Sequence, residues 1–477
     1  MLLLAFSPLL SSFALGPNEL AVLYNETEDE SRLLAMMYAR LHDIPEVNLV
    51  AVSVPASERG GVPEAITCET FNRDIYEPAC ATIRERGLSR QILAWAYSCH
   101  FPARVTETTN SLAQGVPRDL SLTGITFLRG KWPSDRTYVS RPQGPSLYTG
   151  ALSTNAAAIA QAKTRSLDQH AADSLSQMPL PSMMLAYVGK RGTSFQTAAY
   201  AMRRAATATG TRPKGVVWFA QNDDIRSRCR SWFVQPVADR INARTAETGV
   251  SAVVSTNQPT ALNGPLVGYM TGARSVMLPT NLLAAGSYAD HLTSFGAAFW
   301  TDSQMKISRW TEAGAAASSG AVTEPYAIAA KFVSPWIFEQ LLDGATYLEA
   351  IYGSIRSPIQ LLPIGDPLCA PWAPKVKPEI RRTVSARSGA TTLDFEAFFT
   401  PPADDLRFRT GTFGDPVFLW YLDGRCIAVD RKEIRLPRDR RLRGKHVLRL
   451  VVRYSYGDLK CQGFSDIQIQ EPEGTSL

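Results

Sequence analysis

The sequence predicts an α/β unit on a mostly parallel sheet flanked by helices, followed by a smaller all-β unit, an immunoglobulin-like sandwich. Three observations carry this. From Glu19 to about residue 374, apolar runs of strand length alternate with helix-patterned stretches of roughly 11 to 17 residues. That is the pattern of a parallel sheet covered on both faces. A proline-rich stretch, Pro371–Pro378 (PWAPKVKP), then interrupts the chain. Beyond it, over about 95 residues, only short alternating runs remain, separated by Gly and Asp turns. The boundaries read as 17–374 for the first unit and 375–477 for the second.

In chain order, Leu20–Leu23 is the first strand and Ser31–Leu41 has helical spacing. Ile44-Pro45 stops that helix and Leu49–Val54 is the next strand. A helix is expected over Glu69–Glu85 and a buried strand over Gln91–Tyr97 (QILAWAY). Residues 105–175, rich in Ser, Thr, Gly and Pro, read as an irregular excursion. Strand Ser182–Val188, helix Gln196–Ala206, strand Gly215–Ala220, helix Ser231–Glu247 and strands Val250–Ser255 and Pro265–Met270 follow. Ser275–Leu278 looks like one more strand, with Pro279–Gly286 as a loop. In the second unit Thr392–Phe395, Phe418–Leu422, Glu433–Leu436, His446–Tyr454 and Ile467–Ile469 read as strands. No internal repeat stands out in the residues.

The opening MLLLAFSPLLSSFALG, residues 1–16, has the apolar core and small terminal residues of a signal peptide, without its basic start. It predicts export to the periplasm, the cell surface or beyond. No later stretch reaches the ~18 uninterrupted apolar residues of a membrane span. Seven cysteines are scattered without a CxxC pair, which argues against zinc ribbons and thioredoxin-type sites. Cys426 and Cys461, on strands of the same small unit, are the better candidates for pairing. Residues 375–477 hold 19 Lys or Arg against 14 Asp or Glu, five of the net charge of +6. The density peaks at Arg431–His446, which reads either as a solvated edge or as a contact for an anionic surface. No aromatic residue interleaves that run, so nucleic acid is not expected.

The densest polar segment is Asp290-His291-Leu292-Thr293-Ser294. Asp, His and Ser beside Gly can supply a base and a nucleophile; equally, Asp290 can cap a helix beginning at His291. A second candidate, Asp223-Asp224-Ile225-Arg226, directly follows strand GVVWFA, where α/β proteins hold ligands but also cap helices. Glu324 in TEPY and Asp366 in IGDP each stand beside Pro or Gly at the end of an apolar run. Because parallel strands gather their C-terminal ends, the loops after Ala220, Met270, Leu278 and Ile364 are expected on one edge. Cys99-His100 suggests a nucleophile pair, but neighbours on a strand face opposite ways. GxGxxG, Walker, HExxH and GxSxG patterns are absent, and neither metal nor cofactor is expected.

Several stretches together carry a resemblance: PNELAVLYNE, RLHDIPEVNLV, DHLTSFG, GAVTEPYA, KFVSP and IGDPLCAPWA. They resemble an uncharacterised bacterial family that accompanies exosortase (PEP-CTERM) sorting systems, over roughly residues 17–374. This implies export and an envelope or matrix setting. More distantly, the order of elements is similar to gingipain-like, caspase-fold cysteine peptidases. That branch requires His-Gly after one strand and Cys after the next. Here the strand ends read Thr271-Gly272 and His291–Ser294. The expectation is therefore a non-catalytic exported protein that binds a protein or polysaccharide partner. The alternative is a hydrolase with a rearranged site at Asp290, His291, Ser294 and Glu324, with Thr293, Asp223, Asp224, Arg226 and Asp366 as binding groups.

Overall fold

The computed structural model describes residues 15–57, 61–109, 112–134, 179–260, 264–278, 282–383, 392–400, 414–437, 442–456 and 459–471. The signal-peptide-like run up to Ala14, most of the expected excursion and part of the basic run Arg431–His446 lie outside them.

Ten strands form one sheet: β1 (Leu20–Asn25), β2 (Leu49–Val52), β3 (Ala94–Tyr97), β4 (Ser182–Met184), β5 (Gly215–Ala220), β6 (Val250–Ser255), β7 (Leu266–Gly272), β8 (Leu283–Leu292), β9 (Ala317–Ala321) and β10 (Leu361–Gly365). Their order is β2-β1-β3-β4-β10-β9-β8-β7-β5-β6. Every neighbouring pair is parallel except β9 and β10. The sheet is thus two parallel halves of five strands joined by one antiparallel seam.

Helices cover both faces: α1 (Asp29–Leu41), α2 (Glu77–Glu85), α3 (Phe195–Ala206), α4 (Ile225–Ala243), α5 (Ser308–Glu312), α6 (Ile337–Leu342) and α7 (Tyr347–Ser354). Strand alternation divides the core accordingly. Leu20 and Val22 of β1 pack with Leu34 and Tyr38 of α1, whereas Ala21 and Leu23 pack with Ala79 and Ile83 of α2. Each large side chain so buried contributes roughly 1.5–3 kcal/mol.

The expected helix over Glu69–Glu85 divides into a short α-turn, a π-helix at Phe71–Tyr76, and α2. Within the described part of the excursion, strands Arg104–Thr106 and Asp119–Ser121 form a small sheet with Ala65–Thr67. The expected strand Ser275–Leu278 is not one; the strand runs over Leu283–Leu292 instead and takes in Asp290 and His291.

After Pro371–Pro378 come β11 (Lys377–Thr383), β12 (Thr392–Thr400), β13 (Val417–Leu422), β14 (Arg425–Val429), β15 (Glu433–Pro437), β16 (Gly444–Tyr456) and β17 (Leu459–Glu471). They form two antiparallel sheets, β11-β12-β15 and β14-β13-β16-β17. Phe395, Trp420, Leu436 and Leu450, drawn from both sheets, share one core. All seven cysteines are free. The expected Cys426–Cys461 pair does not form, because β14 and β17 are separated by two strands, about 14 Å at the usual strand spacing.

Candidate functional site

In the half containing His291, β5, β7 and β8 end side by side, and α4 begins beside them. Asp224 N-caps α4, accepting from the Arg226 amide at 2.9 Å, and its carboxylate also accepts from the Arg226 guanidinium at 3.1 Å. Asp223 is exposed on the preceding turn. Only a shallow dent, with room for about one water molecule, lies at these strand ends, between Gln221, Ser227, Arg230, Met270, Thr271 and Pro335.

Asp290 and His291 are adjacent on β8 and so face opposite sides of the sheet. Asp290, 2% exposed, is gripped at both oxygens by Arg230 of α4, at 2.7 and 3.0 Å. It also accepts from the Tyr288 hydroxyl at 3.0 Å. The second N–H of each terminal Arg230 nitrogen reaches a carbonyl, that of Thr271 (2.7 Å) or of Val333 (2.9 Å). Asp290 therefore caps no helix; it neutralises a buried guanidinium.

His291, 1% exposed, lies on the other face against Trp310 of α5. The Trp310 indole N–H donates to Nδ1 at 2.9 Å, and Nε2 stands 3.2 Å from the Met305 carbonyl. An indole only donates and a carbonyl only accepts, so the ring is the neutral tautomer protonated at Nε2. Burial, chiefly, brings its pKa down to about 4. Neither nitrogen meets a carboxylate. Thr293 donates to Gln304 at 2.6 Å, and that same side-chain oxygen accepts from the Phe295 amide at 2.7 Å. Ser294 is half-buried on the turn between them.

Glu324 follows β9 and is exposed, its carboxylate accepting from the Tyr326 amide at 2.8 Å. Beside it Lys331 donates to the Pro325 carbonyl and to Gln360, and burial lowers its pKa to about 8. Asp366 is elsewhere. Gly365 pairs with Ala317 across the antiparallel seam, so Asp366 stands where β9 begins and Glu324 where it ends. The expectation that the loop after Ile364 joins the other strand ends is therefore corrected. The β9–β10 connection carries two helices, α6 and α7, so the chain re-enters the sheet from the end at which it left. Asp366 is fully buried there, accepting from Tyr38, from the amides of Leu368 and Cys369, and meeting His42 Nε2 at 2.8 Å.

Arg230, Trp310 and Gln304 hold these strand ends together, and all three lie outside the polar segments that the sequence singles out. Among the described residues, no group of three or more His, Cys, Asp or Glu converges as a metal site, and no helix is long and apolar enough to cross a membrane.

No family model matches the chain, and no curated protein matches it. Among solved structures, the chain is similar to the fibronectin(III)-like modules of Clostridium thermocellum CbhA. Identity is 16%, the match covers 26% of this chain and 60% of that one, and the TM-score is 0.13. A likeness at this level assigns neither fold nor activity.

Proposed function

We propose that this is an exported, non-catalytic binding protein of the bacterial envelope or matrix, linked to protein sorting. Its first unit is caspase-like or gingipain-like and its second immunoglobulin-like. One observation carries the non-catalytic reading: both ring nitrogens of His291 are engaged, by the Trp310 indole and the Met305 carbonyl. A general base needs a free nitrogen within reach of the proton it removes, and Asp290, on the opposite face, cannot orient this ring. Export is supported by the apolar opening run. A protein or polysaccharide partner is supported by the aromatic rings presented after β8 and β9: Trp300 is 38% exposed and Tyr326 70%, with exposed Glu324 beside them. Aromatic side chains are enriched at recognition surfaces.

The test is hydrolysis of a panel of peptide and ester substrates by wild type and by folded His291→Gln protein. No turnover dependent on His291 is expected; turnover that His291→Gln abolishes at unchanged stability would establish a hydrolase. Fractionation of the producing cell tests export, with recovery outside the cytoplasm expected and cytoplasmic protein retaining Met1 counting against it.

A further inference from the structure

The segment that leads into β1 is built into both units. Residues 15–20 are buried without a break. Leu15 is 5% exposed and belongs to the apolar cluster that also holds Leu20, Val22 and Ile44. Gly16 closes a turn: its carbonyl accepts from the Glu19 amide at 3.1 Å, and its own amide donates to Glu19 Oε2 at 3.0 Å. The same carboxylate oxygen accepts from Arg453 of the second unit at 2.7 Å. A Cβ at Gly16 would fall 2.8 Å from Gln462 Nε2 and 3.0 Å from Arg453 Nη2, so a side chain there would have to displace both. Just beyond, Asn48 Nδ2 donates to the carbonyls of Asn18 (3.0 Å) and Leu20 (3.1 Å), and Arg449 of the second unit reaches Asn18 Oδ1 at 3.1 Å.

Ahead of this segment the sequence offers two places to remove an export signal. The cut follows a pair of small residues, one at the bond and one two places before it. Ser12-Phe13-Ala14 puts the cut before Leu15, and Ala14-Leu15-Gly16 puts it before Pro17. The residues alone do not choose between the two frames. The fold does, because the two products differ by Leu15 and Gly16. A cut before Pro17 removes an apolar side chain from the core, whose burial stabilises the fold. It also removes the amide that donates to Glu19, and a buried carboxylate oxygen that loses a donor is costly. A cut before Leu15 leaves every one of these contacts in place.

We propose that a signal peptidase hydrolyses the Ala14–Leu15 bond, and that the new N-terminal pair, Leu15-Gly16, is the wedge that seats the second unit on the first. The inference rests on the export reading above and adds the bond that is cut and the work its product does. Water is the co-reactant: its hydroxyl goes to the Ala14 carbonyl carbon as the bond to the Leu15 nitrogen breaks. The acid's proton passes to the amine, leaving a carboxylate on the released segment and an ammonium on Leu15. The mature chain then begins at residue 15, two residues before the boundary expected from the apolar run.

Protein recovered outside the cytoplasm is sequenced from its N-terminus and its intact mass measured, with Leu15 expected first. Ser12→Phe spoils only the first frame and should block processing. Gly16→Leu spoils only the second and should leave the cut before Leu15 unchanged. A product beginning at Pro17, or processing that survives Ser12→Phe and stops with Gly16→Leu, overturns the cleavage site. The wedge is tested on two mature chains, one beginning at Leu15 and one at Pro17, each released from an N-terminal tag. The shorter chain should be cut about tenfold faster between residues 371 and 378, because its second unit is less firmly seated. Equal rates would show that Leu15 and Gly16 seat nothing. Cytoplasmic protein retaining Met1 would sink the export reading itself, whereas an exported chain with a different first residue sinks only this inference.

Discussion

At His291 the folded chain refuses a proton that the unfolded chain accepts, because burial lowers the ring from its ordinary 6.5 to about 4. A depressed folded pKa gives stability that is complete above about pH 6.5 and is lost as pH falls toward 4. The loss from this one residue amounts to about 2 kcal/mol at pH 5 and about 3 kcal/mol below both values. Urea denaturation at pH 7 and pH 5 should therefore show a steeper fall for wild type than for His291→Gln. Equal falls would mean that the ring is not held neutral. The neighbouring Asp290–Arg230 pair obeys a different rule, since removing one partner strands a buried charge. Asp290→Ala or Arg230→Ala should each cost about 3–5 kcal/mol, and the Asp290→Leu/Arg230→Met double replacement less than the two together. Midpoints in urea measure both. The sequence made the crowding of Asp290 and His291 visible but not their separation. Reading a loop and a helix start where β8 runs hid the fact that the two side chains face opposite sides of a sheet. Their partners lie 60 and 19 residues away in the chain, beyond any local pattern.

Among the elements, the alternation of strands and helices was legible because each strand is an apolar run bounded by turn residues. The reversal of β10 was not, since a connection of two helices looks in sequence much like a crossover of one. A shared joint of the two halves was hidden as well: the Asn25 amide donates to Ser31 Oγ at 3.0 Å and the Asn222 amide to Ser227 Oγ at 3.1 Å, whereas NETEDES and NDDIRS share only Asn, Asp and Ser, at different spacings. A similar use of side chain for backbone protects the sheet's edge. Asn242, near the end of α4, accepts from the Ala252 amide at 2.8 Å and donates to the Ala252 carbonyl at 3.1 Å on edge strand β6. It occupies the groups another strand would pair with. Asn242→Ala should leave the monomer folded at a cost of about 1–3 kcal/mol and raise its tendency to associate. Light scattering against concentration checks this; an unchanged monomer would show that β6 needs no such cover.

At the scale of the whole molecule, the proline stretch suggested two units, but composition says nothing about how firmly they meet. Glu19, immediately before β1, accepts from the Tyr421 hydroxyl at 2.5 Å, from Arg453 at 2.7 Å and from the Gly16 amide at 3.0 Å. Glu19, Tyr421 and Arg453 are all buried. Around this node Arg449 reaches Asn18 and the Asp43 carbonyl, Gln91 bonds the backbone of Gly424 and Cys426, and Lys460 meets Glu349. Pro371, Trp372 and Pro374 of the connecting stretch are themselves buried. A tether packed in this way is a poor protease substrate, since cleavage needs an exposed and locally extensible backbone. Wild type should therefore resist cutting at Pro371–Pro378. Glu19→Ala leaves the Arg453 guanidinium buried without its counter-charge, a loss of about 3–5 kcal/mol at the interface. Its effect should be release of the second unit rather than loss of either core, because the large sheet's cores and the Trp420 core are separate apolar clusters. Expected readouts are faster proteolysis between residues 371 and 378 and a calorimetric transition that splits in two. If Glu19→Ala is cut no faster than wild type and still melts in a single step, Glu19 does not hold the units together and other contacts must.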